Sequence, residues 1–89
     1  MSLKVKVKVQ FLGPLSEAAG KRQVVLEVEP DVRAAIADIE GIFRLKSPDG
    51  QLAPGGVFVN GRHVSLLPKE KMLLKDNDII TFMHCVSGG

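Results

Sequence analysis

Few residues in this chain could do chemistry. His63, His84 and Cys85 are the soft metal ligands besides the methionines. His84 and Cys85 are adjacent in an extended segment, so their side chains point to opposite faces and do not converge on one ion. The same adjacency is poor geometry for activating a thiol, and Cys85 reads as a small apolar residue at a strand end. Asp76 and Asp78 make a pair of carboxylates, but the Asp-Asn-Asp run is a turn signal that accounts for them without acid–base work. Gly13 and Gly20-Lys21 outline a phosphate loop only superficially. Six residues separate the glycines where four are required, and Arg22 stands where a Ser or Thr would hold magnesium.

What remains is the C-terminal carboxylate. The sequence closes on MHCVSGG, Met83 to Gly89. A carboxylate is inert to nucleophiles at neutral pH and must first become an acyl donor, for example an acyl-adenylate made with ATP. Gly88 and Gly89 suit both stages, because an end without Cβ atoms threads a narrow channel and leaves its carbonyl uncrowded. Val86 and Ser87 would extend the preceding strand into a flexible arm, about residues 84–89. A Gly-Gly end is common at ragged termini; it gains weight from standing straight after a strand.

Composition bounds the rest. Eighty-nine residues make one domain (1–89) with its own core. The 45% apolar and 25% charged content is that of a globular protein, not a disordered one. Net charge is +2, and with no Trp, no Tyr and four Phe the chain offers few platforms for stacking bases, which argues against nucleic acid. No apolar run approaches the roughly 20 residues of a membrane span, and no signal-peptide core precedes the first strand. One cysteine excludes an intrachain disulfide. The expectation is a cytoplasmic protein away from membranes.

The elements that must position the terminus follow from periodicity. LKVKVKVQF alternates, with Leu3, Val5, Val7, Val9 and Phe11 on one face and Lys4, Lys6, Lys8 and Gln10 on the other. A loop at Leu12–Arg22, with room for one helical turn, leads to a second strand, QVVLEVE, paired antiparallel with the first. From Val32 the period becomes helical, with Val32, Ala35, Ile36, Ile39 and Phe43 inward and Asp31 as N-cap. Gly41 weakens the middle, so the helix is expected to run to about Glu40. Ser47–Gly56 reads as loop. VFVNGRHVS is a strand, an Asn60-Gly61 turn suited to type I′, and a short return strand. A tight turn at Asp76–Asp78 opens the last strand, IITFM. The expected fold is α+β: a mixed four- to five-stranded sheet with one main helix packed across it. The crossover from the second strand through the helix to the third should be right-handed if those strands lie parallel.

The segments FLGPLSEAAGKRQVVLEV, VFVNGR and LKDNDIITFMHCVSGG resemble the MoaD/ThiS sulfur carriers, ubiquitin-like β-grasp proteins. The resemblance spans nearly the whole chain. The Glu17–Gly20 loop looks more like MoaD, the small subunit of molybdopterin synthase, than the shorter ThiS. The resemblance implies a carrier rather than an enzyme. Gly89 would be adenylated by a ubiquitin-activating-type partner (MoeB/ThiF-like) using ATP, then converted to a thiocarboxylate. The chain would bind no cofactor itself. A MoaD-type carrier passes its sulfur to a pterin precursor in the large subunit, MoaE, for molybdenum cofactor biosynthesis; Val86, Ser87 and Gly88 would be inserted with Gly89. Where the family often has two prolines before its terminal motif, this chain has His84 and Cys85, so its arm should be looser.

Parity and resemblance together outline a partner surface. If Phe11, Ile80 and Phe82 face the helix, Leu12 and Met83 point outward beside the tail, with His63 near them. Three other outcomes fit the same residues: a ubiquitin-like modifier joined through its terminal glycine to lysines, a ThiS-like carrier for thiamine thiazole synthesis, and a non-covalent β-grasp interaction module.

Overall fold

The computed structural model describes residues 4–43 and 56–83, apart from the side chains of Pro14 and Ala18. Within it the alternating first segment becomes β1, Val5–Phe11, with Val7, Val9 and Phe11 buried and Lys6 exposed. The following loop holds more helix than one turn: α1, Pro14–Ala19. Proline near its start loses no helical hydrogen bond. Gly20 ends it in the left-handed conformation at φ 80°, its N–H reaching the carbonyls of Ser16 and Glu17. This short helix drives Leu15 into the core, where it is fully buried.

β2, Gln23–Val28, returns antiparallel to β1, in register from Val5 opposite Val28 to Gln10 opposite Gln23. The main helix α2 spans Val32–Phe43 and buries Val32, Ala35 and Ile39 against the sheet. It runs past the expected end near Glu40. The reason is the last turn's packing: the Phe43 ring stands edge-on to Phe11, centroids 5.0 Å apart. Such burial outweighs the roughly 1 kcal/mol that Gly41 costs in helix propensity.

β3 (Gly56–Val59) and β4 (Arg62–His63) form a hairpin about Asn60-Gly61, whose φ values of 52° and 86° are those of a type I′ turn. Two 3-10 turns, Val64–Leu66 and Lys69–Lys71, lead on to β5, Ile79–Met83. The sheet order is β2-β1-β5-β3-β4. β5 lies parallel to β1 and antiparallel to β3, so β2 and β3 run in the same direction. The five-stranded mixed sheet under one main helix is the expected architecture. Phe11, Phe82, Leu15, Ile39 and Ile80 are its largest fully buried side chains, and no polar or charged residue is buried among the described residues.

Candidate docking face and carrier terminus

The sheet has one face under α2 and one free of it. Period-two alternation assigns the sides: Phe11, Val57, Val59, Ile80 and Phe82 are buried inward, so their strand neighbours lie on the outer face. Register then places those neighbours in rows. Gln10 of β1 stands beside Thr81 of β5, Thr81 opposite Phe58 of β3, and Phe58 opposite His63 of β4. The row is knitted by side chains. The Thr81 hydroxyl donates to Oε1 of Gln10 at 3.3 Å, and the Phe58 and His63 rings pack edge to face with centroids 5.2 Å apart. One step nearer the C-terminus, Gly56 stands opposite Met83. Leu12 continues β1 by donating its N–H to the carbonyl of Phe82 at 3.0 Å.

The three residues named from sequence as a partner surface therefore share this face. Leu12 is 45% exposed, and Met83 and His63 are half-buried. Leu12 and Met83 are on neighbouring strands, whereas His63 is two strands from Met83, with Phe58 and Gly56 between. Phe58 was missed. Its signal was present: in Val57-Phe58-Val59 the two valines claim the inward positions, which turns the phenylalanine outward. An aromatic on the outer face beside a histidine is unusual surface for a strand that otherwise only completes a sheet.

His63 is held in place. Its Nδ1 accepts the Ser65 N–H at 3.1 Å and lies 2.7 Å from the Ser65 hydroxyl, capping the Val64–Leu66 turn. Accepting from a backbone amide assigns the neutral ring's proton to Nε2. Among the described residues no group of three His, Cys, Asp or Glu is placed to hold a metal ion. Asp76 ties its turn to β1, and Asp78 closes the turn itself. Asp76 Oδ1 accepts the Lys6 N–H at 2.9 Å, and Asp78 Oδ2 accepts the Lys75 N–H at 2.8 Å. His84, Cys85, Val86, Ser87, Gly88 and Gly89 lie outside the described residues. What the fold does define is their point of attachment. Met83 ends a strand hydrogen-bonded on both sides, by β1 and β3, so the chain leaves the middle of the sheet beside Leu12 and Gly56.

The same fold occurs in solved structures. Small archaeal modifier protein 1 from Methanosarcina acetivorans is 24% identical with a TM-score of 0.73, over 98% of this chain and 99% of that one. A Pyrococcus furiosus protein named molybdopterin converting factor, subunit 1, is 26% identical with a TM-score of 0.66, over 92% of this chain and 99% of that one. A chain from the complex of subunits 1 and 2 of the Helicobacter pylori molybdopterin-converting factor is 22% identical with a TM-score of 0.63, over 96% of this chain and 100% of that one. The first and third likenesses speak to fold alone, the ubiquitin-like β-grasp. No curated protein matches the chain. The ThiS family model matches residues 9–89, from the middle of β1 through the Gly-Gly end. The chain thus belongs to the ThiS family of small ubiquitin-like carrier proteins.

Proposed function

We propose that this chain is a sulfur carrier working through the carboxylate of Gly89, as small subunit of a molybdopterin synthase. One observation carries the reading: a Val-Ser-Gly-Gly end, whose Gly89 stands six residues beyond Met83, follows a strand clamped at the centre of a ThiS-family sheet. The central strand gives the arm a fixed origin, and Gly88 and Gly89 let its tip enter a narrow site. Activation would proceed in a MoeB/ThiF-like partner. The Gly89 carboxylate attacks the α-phosphorus of ATP, releasing pyrophosphate and forming an acyl-adenylate; hydrosulfide then attacks the acyl carbon, AMP leaves, and loss of the sulfur-bound proton gives the thiocarboxylate. The chain supplies the reactive end and the docking face of Leu12, Phe58, His63 and Met83, while the partners supply catalysis. The acceptor is a pterin precursor held by a MoaE-like large subunit, as the family resemblance and the Pyrococcus protein's name support. No helix among the described residues is long and apolar enough to cross a membrane, and we place this chemistry in the cytoplasm.

The test is intact mass after incubation with the activating enzyme, ATP and a sulfide source. A gain equal to exchanging one oxygen for sulfur, mapped to the peptide ending at Gly89 and dependent on ATP, supports the carrier. An unchanged mass, with an activating enzyme shown to work on its own substrate, overturns it in favour of a docking module. If high-mass conjugates through Gly89 form on lysines in cells, the activated end also serves protein modification. Sulfur delivery to a thiazole precursor instead of a pterin would make it a ThiS-like carrier.

A further inference from the structure

At the other end of β5 from the terminus lies a groove of about 450 Å3 between the Asn60-Gly61 hairpin and the 67–75 segment. Val59, Leu67 and Leu73 supply its apolar lining, and Arg62, Lys71 and Lys75 line it with positive charge. Two carboxylates line it too, Glu70 and Asp78. Those of Asp78 are turned to structural use: Oδ1 accepts from the Asn60 side-chain amide and Oδ2 from the Lys75 N–H. Three cations against two carboxylates leave the groove a net charge of +1 beside its leucine side chains. Leu73 is 63% exposed, and Leu66, next to Leu67, is 70% exposed. A single exposed leucine needs no explanation. Leu73, exposed in the wall of a cation-lined depression with Leu67 in the same lining, forms the kind of mixed patch that a partner covers.

We infer that this groove docks an acidic segment of a partner protein carrying large aliphatic side chains. Carboxylates would meet Arg62, Lys71 and Lys75, and the aliphatic groups would cover Leu67 and Leu73. No aromatic side chain lines it, so it offers no stacking platform for nucleic-acid bases. The inference is independent of the sulfur chemistry. The groove sits at the start of β5 and the terminus leaves from its end, roughly 17 Å away along five residues of strand. Both surfaces can be occupied together.

The experiment is an amide-shift titration of the full chain with a blocked Glu-Leu-Glu-Asp-Leu-Glu peptide at low salt. Saturable shifts confined to residues 59–62 and 67–75 are expected. Lys71→Glu with Lys75→Glu should weaken the peptide about tenfold, and Leu73→Ser should weaken it on its own. All three side chains are exposed, and the Lys75 amide that Asp78 accepts is retained in the variant, so a dispersed spectrum is expected throughout. Absence of saturable shifts in these segments overturns the proposal. So does equal binding of a peptide with serine in place of leucine, or of a single-stranded oligonucleotide, because either reduces the groove to a plain charge patch.

Discussion

Asn60 and Asp78 tie two turns together across the end of the sheet, the Asn60 side-chain amide donating to Oδ1 of Asp78 at 3.1 Å. Asn60 Oδ1 also accepts the Ile79 N–H at 2.9 Å, and its own N–H donates to the Ile79 carbonyl at 2.7 Å. The hairpin turn and the turn that launches β5 are thus one unit. Asp78→Ala removes the acceptor for both the Asn60 amide and the Lys75 N–H. It should cost about 1–2 kcal/mol, read as a lower urea midpoint at unchanged slope.

Phe58 and Phe82 lie on neighbouring strands but on opposite faces, and truncating each should separate stability from recognition. Phe82 is fully buried, so Phe82→Ala should cost about 3–5 kcal/mol. Phe58→Ala on the outer face should cost about 1 kcal/mol or less in stability while weakening partner binding by at least about tenfold. Denaturation curves beside calorimetric titration with the activating enzyme or the large subunit would check both halves. Equal binding by Phe58→Ala would remove the outer face from the docking reading.

Gly20 isolates a purely conformational cost. Its φ is 80°, yet a Cβ there would meet no atom within 4 Å. Gly20→Ala should therefore lose only the left-handed penalty, about 1 kcal/mol, seen as a fall in Tm of roughly 4–8 °C for a domain of this size.

Extending the chain by one alanine beyond Gly89 should leave the urea midpoint unchanged and abolish the ATP-dependent mass gain. Gly88→Val should do the same by crowding the arm. Sulfur loading that survives the extension would exclude the Gly89 carboxylate as the reacting group.

Much of this was legible in the sequence because it is local. The alternation around Val7 and Val9, the helical spacing from Val32 to Ile39 and the Asn60-Gly61 turn each carry their structure in a few residues. The helix end was not, because Phe43 extends α2 through contact with Phe11, far away in sequence. Leu15 likewise sits in a loop by composition and in the core by tertiary packing. For the docking face, parity identified Leu12 and Met83. The outward turn of Phe58 was readable from its flanking valines, but its place between Thr81 and His63, and the separation of His63, needed the strand order, which is set by which strand β5 joins. The groove near Leu73 is assembled from two segments of irregular chain, and no period marks it.

The position of β5 has a consequence in time. The β1–β2 hairpin and α2 can form from contiguous chain, but β1 and β3 meet only through residues 79–83. Closing the sheet thus awaits the last strand, a long loop closure of the kind that slows folding. The outer face exists only once Thr81 stands between Gln10 and Phe58. A partner that reads this face before accepting the arm would pass finished molecules and reject incomplete ones; on the proposed function, folding itself would be the checkpoint for loading the terminus.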